Sequence, residues 1–150
     1  MNEKNRELQI LLVEDNPYDA EMTMDALREV RLVNPVQWVK DGAEAVDFLF
    51  GHGANPATEN KHLKLVLLDL RLPRVDGLDV LRAIRADERT RRLPVVVLTS
   101  SREEVDVVRA YDLGANSYLV KPVESEAFTK AVRELGLYWM LLNRLPGDTK

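Results

Sequence analysis

Cysteine is absent from the chain, and its absence removes several kinds of chemistry. Disulfide bonds, thiolate metal sites and cysteine nucleophiles are excluded, which suits a reducing cytoplasm. No GxxxxGK[ST] phosphate-binding loop occurs. No signal-peptide pattern follows Met1, and no apolar stretch approaches the roughly 20 residues that a membrane span needs. We therefore expect a cytoplasmic protein with no membrane partner.

The chain also has no excess of positive charge: 21 lysines and arginines stand against 25 aspartates and glutamates. The net charge is −4 and the pI is about 5.3, so a broad surface for nucleic-acid phosphates is not expected. The 150 residues, of which 45% are hydrophobic and 31% charged, suit one globular domain with a sizeable core. We predict a single domain over residues 1–150 that has no nucleic-acid partner.

Short apolar runs recur along the chain with helical segments between them. The continuous runs are Ile10–Val13, Leu65–Leu68, Val95–Leu98 and, more weakly, Ser117–Val120. Continuous hydrophobicity is typical of strands that are buried on both faces of a parallel sheet. The segment Pro35–Val39 alternates instead, which is typical of an edge strand. Together they predict a five-stranded α/β fold.

Capping signals divide the intervening segments into five helices. The expected starts are Asn16-Pro17, Asp41 with Glu44, Asp76-Gly77, Ser101 with Glu104, and Glu124, from which an extended last helix runs to about Asn143. This alternation indicates an open, doubly wound parallel sheet with right-handed crossovers. The long polar segment from Gly51 to His62 has two interpretations, a tolerated surface insertion or a contact with a partner.

Polar residues stand at the carboxyl ends of four predicted strands. Glu14 and Asp15 follow the first strand, Asp69 the third and Lys121 the fifth, while Thr99 ends the fourth. These strand ends face one crevice in an open α/β sheet, so the five side chains are expected to meet. Each alone has a structural explanation, such as an acidic pair at a helix start or a Lys-Pro turn. Their joint occurrence favours a functional site.

The three carboxylates Glu14, Asp15 and Asp69 would repel one another in a crevice and need a cation to stay ionised. Oxygen ligands without nearby cysteine or histidine select a hard divalent ion, Mg²⁺ or else Mn²⁺. Asp69 is then suited to act as a nucleophile that forms an aspartyl phosphate. Lys121 would supply a positive charge to a phosphoryl oxygen, and Thr99 a hydroxyl donor. The pattern predicts phosphoryl transfer.

Four motifs span most of the chain: LLVEDN at 11–16, LLDLRLPRVDG at 67–77, VVVLTSS at 95–101 and YDLGANSYLVKP at 111–122. A chain with these motifs resembles the CheY-like receiver domains of bacterial two-component response regulators. The resemblance implies a flavodoxin-like (βα)₅ fold with strand order 2-1-3-4-5. It implies that Asp69 receives a phosphoryl group from a sensor histidine kinase, and that the protein is a signalling phosphoacceptor rather than an enzyme.

The resemblance assigns further roles. The backbone carbonyl of Arg71 is implied as a metal ligand, and Tyr118 as the aromatic partner of the Thr99 switch. A cis peptide bond is implied before Pro122. Arg71 replaces the smaller residue of many receivers, and we expect its guanidinium to overhang the crevice and change the rate of phosphorylation or hydrolysis.

The last helix predicts how a signal leaves the molecule. No effector domain is expected after Asn143, so output is expected through binding. The helix carries one apolar stripe of Phe128, Val132, Leu135, Trp139 and Leu142, and a second of Ala127, Ala131, Tyr138, Leu141 and Leu145. A homodimer through this helix is favoured over a chain end that folds back on its own core. The motif at 111–122, the long loop and the Trp-bearing extension also resemble the response regulators of bacterial phytochromes, which implies a bacteriophytochrome as the kinase.

Other classes of protein fit less well. A dinucleotide-binding fold lacks its glycines after the first strand. A haloacid-type phosphatase needs a second acid where Arg71 stands. His52 and His62 lie in the long loop without supporting ligands and are interpreted as surface residues. The remaining alternative is a phosphorylation-independent pseudo-receiver, whose members usually lose the acidic pair or the lysine that this chain keeps.

Overall fold

The computed structural model describes residues 10–29, 36–51 and 63–138, and they form a parallel sheet covered by helices on both faces. The strands lie in the order β2-β1-β3-β4-β5, which confirms the predicted fold class and strand order. In chain order the elements are β1 (Ile10–Val13), α1 (Pro17–Glu29), β2 (Val36–Val39), α2 (Gly42–Phe50), β3 (Leu65–Leu68), α3 (Gly77–Ala86), β4 (Val95–Thr99), α4 (Glu104–Asp112), β5 (Ser117–Val120) and α5 (Glu126–Leu137).

The burial of the strands follows their hydrophobic patterns. Every residue of the central strands β1, β3 and β4 is buried, because α1 and α5 cover one face of the sheet and α2, α3 and Ala110 of α4 cover the other. The edge strands β2 and β5 are mostly half-buried. All pairs are parallel, and Val13 lies opposite both Val39 and Leu68. This register sets the carboxyl ends side by side.

Three of the predicted helix starts are confirmed by hydrogen bonds. The Asn16 side chain accepts a bond from the N–H of Asp19 (3.0 Å), and the Asp41 side chain accepts one from the N–H of Glu44 (2.8 Å). Asp76 accepts from the N–H of Leu78 at the start of α3 (3.2 Å). Each cap satisfies an N–H group that the helix itself leaves without a partner.

Two predicted helix starts are wrong. Ser101 does not cap α4, which begins at Glu104 after Glu103 and has no side-chain cap. The Ser101 hydroxyl instead donates to Asp106 in the first turn of α4 and accepts from the N–H of Glu103, the residue before the helix. The last helix begins at Glu126 rather than Glu124, because the Ser125 side chain accepts a hydrogen bond from the N–H of Phe128 (3.0 Å).

Some predictions fall outside the described residues. These are the loop between Gly51 and Leu63 with His52 and His62, and the part of the extended last helix beyond Tyr138 with Trp139, Leu141, Leu142 and Leu145. The peptide bond between Lys121 and Pro122 is cis, as the resemblance implied. No helix among the described residues has the length and apolar character to cross a membrane.

Helix α4 exposes the apolar residues that its pattern would place in a core. Val105, Val108 and Tyr111 are 58%, 44% and 48% exposed, and Ala110 is the buried residue of the helix. A scattered exposed apolar residue is ordinary, but three on successive turns of one helix form a patch. We call these three residues the α4 patch.

Candidate functional site

The carboxyl ends of the strands form a crevice that holds most of the predicted site residues. The N–H of Asp69 donates to the carbonyl of Val13 (3.0 Å), and the N–H of Glu14 donates to the carbonyl of Val39 (3.1 Å). These bonds continue the sheet by one residue past β1 and β3. They place the backbone of Glu14 beside that of Asp69 at the carboxyl edge of the sheet.

The predicted acidic cluster is present in the structure. One carboxylate oxygen from each of Glu14, Asp15 and Asp69 lies within 4.8 Å of the others, with Glu14 and Asp69 buried and Asp15 exposed. This donor set consists of oxygen alone and has one open side, which fits a hard divalent ion such as Mg²⁺ or Mn²⁺. Burial, followed by the charge of Asp69, raises the pKa of Glu14 to about 7 despite its bond to Lys121. A cation would relieve this crowding.

Lys121 contacts more carboxylates than the sequence indicated. Its ammonium lies 2.8 Å from Glu14 Oε1, 2.8 Å from Asp19 Oδ2 and 3.1 Å from Asp69 Oδ2. Burial alone would lower the pKa of Lys121, but the hydrogen bonds to Asp19 and Glu14 and the charge of Asp69 outweigh it and raise that pKa. Lys121 is therefore held as a cation directly above the predicted phosphoacceptor.

Two residues of the crevice were missed in the sequence. No role in the site was predicted for Asp19, which lies in the first turn of α1, and its position in the sequence gives no sign of a partner 102 positions away. Trp38 was assigned only to an edge strand, yet its indole N–H donates to the backbone carbonyl of Glu14 (2.7 Å). A tryptophan in a strand that ends at the crevice was the one available signal.

Thr99 and Tyr118 lie on neighbouring strands and are joined through one loop. Thr99 is fully buried at the end of β4, and its hydroxyl oxygen is 3.4 Å from the N–H of Ser101. The Tyr118 hydroxyl donates to the carbonyl of Ser101 (3.1 Å), and burial raises its pKa. Both predicted switch residues therefore contact the segment that leads into α4.

Arg71 makes two separate contacts. Its backbone N–H donates to Asp69 Oδ1 (3.2 Å), and its guanidinium lies 3.2 Å from Asp106 Oδ2 on α4. The pKa of Asp106 is lowered by its hydrogen bond from Ser101 and then by Arg71. Asp106 thus directs the guanidinium toward α4, a partner that the sequence did not reveal. The role of the Arg71 carbonyl as a metal ligand stays a prediction.

Residues 10–133 match the family model of the response regulator receiver domain. Among curated relatives, the probable methanogenesis regulatory protein FilR2 of Methanothrix harundinacea is 44% identical over 92% of this chain and 87% of its own length. Both findings place the similarity over nearly the whole of the chain.

Several solved structures are similar throughout. The phosphorylated cyanobacterial phytochrome response regulator RcpA is 35% identical, with a TM-score of 0.83 over 93% of this chain and 99% of that one. The bacteriophytochrome response regulator RtBRR is 48% identical, with a TM-score of 0.73 over 93% and 85%. The Mn²⁺-bound form of response regulator Rcp1, a Synechocystis protein, is 34% identical, with a TM-score of 0.79 over 93% and 99%. Receiver domains bind such ions at an acidic site like the one described above.

Proposed function

The chain belongs to the response regulator receiver domain family, and on that premise we propose that it accepts a phosphoryl group on Asp69 from a histidine kinase. The observation that carries the proposal is the ammonium of Lys121 set 3.1 Å from the Asp69 carboxylate, beside an acidic cluster suited to Mg²⁺. Receiver domains interact with histidine kinases and act in signalling rather than as general enzymes.

The transfer itself follows from the positions of these groups. A carboxylate oxygen of Asp69 attacks phosphorus, an O–P bond forms, and the P–N bond to the donor imidazole breaks with its electron pair leaving on nitrogen. Lys121 donates a hydrogen bond to a phosphoryl oxygen, and the N–H of Arg71 holds the Asp69 side chain in place. Mg²⁺ held by Glu14 and Asp15 would neutralise the charge that the phosphoryl group brings.

The conformational response is proposed to run through the segment between β4 and α4. Thr99 supplies a hydroxyl to the phosphoryl group, and Tyr118 changes position with it. Two observations support this. The N–H of Ser101 approaches the Thr99 hydroxyl and its carbonyl accepts from Tyr118, so movement of either residue disturbs the same loop. The α4 patch follows that loop directly, which makes it a surface that phosphorylation is able to change.

We further propose a phytochrome-linked kinase and a homodimer through the last helix. RcpA and RtBRR, at 35% and 48% identity, are by name phytochrome response regulators, which supports the first proposal. FilR2, at 44%, is by name a methanogenesis regulator, so the stimulus is the part of the proposal that most needs its own test. That test is phosphoryl transfer from a bacteriophytochrome kinase to this chain in light and in darkness.

The phosphoacceptor proposal is tested with Mg²⁺, phosphoramidate and intact mass spectrometry. The wild-type protein is expected to gain the mass of one phosphoryl group, and Asp69→Asn is expected to gain none. Asp76→Asn, an exposed aspartate at the start of α3, is the matched control and should gain the same mass as the wild type. Absence of the gain from the wild type would support the pseudo-receiver instead, and a gain that persists in Asp69→Asn would assign the phosphoryl group to another residue.

A further inference from the structure

Asp19 is a carboxylate of the crevice that the proposed transfer does not use. It lies in the first turn of α1, and its carboxylate is 2.8 Å from the ammonium of Lys121. We propose that Asp19 is a positioning residue for phosphoryl transfer, which anchors Lys121 above Asp69 when the other carboxylates are engaged by a metal ion. The inference rests on the proposed function, because it concerns how the same site works.

Capping of the helix does not account for the direction of the Asp19 side chain. In a capping box the third helical residue would accept a bond from the N–H of the N-cap, here Asn16. That N–H donates to Glu14 Oε2 instead (3.1 Å), and Asn16 in turn caps the N–H of Asp19. The Asp19 side chain is 18% exposed, whereas the acids Glu21 and Asp25 of the same helix are 62% and 50% exposed. Asp19 is therefore turned inward toward Lys121.

The three carboxylates around Lys121 differ in whether they also belong to the possible metal site. An ammonium group has three N–H donors, and Glu14, Asp19 and Asp69 each lie within 3.1 Å of it. Glu14 and Asp69 also belong, with Asp15, to the group of described residues whose oxygens converge as possible metal ligands, and Asp19 does not. If Glu14 and Asp69 bind a metal ion, that ion takes up part of their negative charge. Asp19 then remains as the carboxylate that pairs with Lys121 without also binding the metal ion.

Anchoring matters because a lysine side chain is long and flexible. Its stem has several rotatable bonds, and it binds a phosphoryl oxygen as a point charge without the fixed geometry of a guanidinium. An ammonium held on one side by Asp19 keeps its remaining N–H groups free for Asp69 and for the incoming phosphoryl group. Positioning of this kind acts on the rate of transfer and leaves metal affinity nearly unchanged.

The test measures the phosphorylation rate with phosphoramidate at saturating Mg²⁺. Asp19→Asn is expected to slow phosphorylation on the order of tenfold, because a group displaced by about an ångström loses that much or more. Asp19→Glu should restore part of the rate. Asp25→Asn, the same change on the exposed side of α1, should leave the rate within about twofold of the wild type. Circular dichroism and thermal unfolding check that each variant is folded.

A double-mutant cycle separates this role from a general charge effect. In a Lys121→Ala background, Asp19→Asn is expected to cause no further slowing, since Asp19 acts through Lys121. If Lys121→Ala alone leaves no measurable rate, the ¹⁵N-detected ammonium resonance of Lys121 decides: Asp19→Asn should shift or broaden it, and Asp25→Asn should not.

Three results would overturn the inference. They are an unchanged rate in Asp19→Asn, a rate that returns to the wild-type value once Mg²⁺ saturates, and equal slowing with and without Lys121. In each case the wild type still takes up phosphoryl, so the proposed function stands. A wild type that takes up none removes both the proposed function and this inference.

Discussion

At the level of single residues, the crevice holds more negative than positive charge. Glu14, Asp19 and Asp69 all pair with Lys121, and Asp15 converges with two of them. The pKa of Lys121 rises because its bonds to Asp19 and Glu14 and the charge of Asp69 outweigh the effect of its burial. The pKa of Glu14 rises to about 7, mainly because Glu14 is buried and then because of the charge of Asp69, and its bond to Lys121 only partly offsets this.

The raised pKa of Glu14 predicts that Mg²⁺ affinity depends on pH. A metal ligand must be ionised, so a proton on Glu14 competes with Mg²⁺ below about pH 7. Affinity is expected to be about tenfold weaker near pH 6 than near pH 8, and binding near pH 6 should release a proton. Isothermal titration calorimetry in buffers of different ionisation enthalpy measures both quantities.

Glu14→Gln is the control for that measurement. It should bind Mg²⁺ more weakly and lose most of the pH dependence, whereas an unaltered dependence would assign the proton to another group.

The raised pKa of Glu14 also has a consequence for folding without metal. A carboxyl whose folded-state pKa lies above its unfolded value stabilises the protein at low pH, so this contribution should disappear as the pH rises through about 7.

Arg71 leads to a prediction about the lifetime of the phosphoryl group. Its guanidinium is 66% exposed and 3.2 Å from Asp106, and a dianion on Asp69 would attract it toward the crevice. Arg71→Asn is expected to shorten the phosphoryl lifetime about two- to fivefold, the range for an exposed ion pair, because water then reaches the phosphoryl group more freely. Arg74→Asn, from the same loop and equally exposed, should have no effect. An unchanged lifetime in Arg71→Asn would contradict the role.

At the residue scale the sequence revealed the groups but not all of their partners. Glu14, Asp69 and Lys121 were found because strand ends in a parallel sheet converge, a rule that needs no side-chain detail. Asp19 and Asp106 were not, because each lies on a helix where an acid is ordinary, and its direction depends on three-dimensional packing. The Arg71 guanidinium was expected over the crevice, and the pull of Asp106 explains why it lies toward α4.

The first residue of α3, Gly77, lies close to the backbone of Asp69. Gly77 donates its N–H to the carbonyl of Leu70 (2.9 Å), and a methyl group at this position would lie 2.3 Å from the Asp69 carbonyl oxygen. Gly77→Ala is therefore expected to destabilise the protein by about 1–3 kcal/mol and to slow phosphorylation by displacing Asp69. Urea unfolding measures the free energy.

Arg82→Ala is the matched control for Gly77→Ala. Arg82 lies on the exposed side of α3 and pairs with Asp79, so its loss should change stability by no more than about 0.5 kcal/mol. A Gly77→Ala protein as stable as the wild type would show that the helix start is able to shift away from Asp69 at little cost.

The elements themselves were largely predictable, and the errors have local causes. Continuous apolar runs identified β1, β3 and β4 because helices cover both of their faces. The start of α4 was wrong because Ser101 bonds to Asp106 and Glu103, and spacing alone does not distinguish that contact from a cap. The exposure of Val105, Val108 and Tyr111, which form the α4 patch, was not predicted.

At the scale of the whole molecule, the two stripes of the last helix differ in burial over the residues that the structure describes. Phe128 and Val132 of the first stripe are buried against the sheet, with α1 beside them, so this part of the stripe belongs to the core. Ala127 and Tyr138 of the second stripe are exposed, and Tyr138 is 45% exposed. The proposed homodimer is therefore expected to use the second stripe.

Paired substitutions test the dimer against the α4 patch. Tyr138→Glu is expected to weaken self-association at least tenfold, on the order of 1.4 kcal/mol, because a carboxylate would be buried at the interface. Tyr111→Glu on α4 is the matched control and should associate like the wild type. Analytical ultracentrifugation over a range of concentrations measures both. A monomeric wild type removes the dimer, and a loss confined to Tyr111→Glu transfers it to α4.

The central claim is that Asp69 carries the phosphoryl group, and chemical trapping tests it most directly. Borohydride reduces an acyl phosphate to an alcohol, so it converts a phosphorylated aspartate to homoserine and leaves a free carboxylate intact. After treatment with Mg²⁺ and phosphoramidate, tandem mass spectrometry of the reduced protein is predicted to find homoserine at position 69 alone. Homoserine at Asp15, Asp19 or any other aspartate, or none at position 69, would contradict the claim.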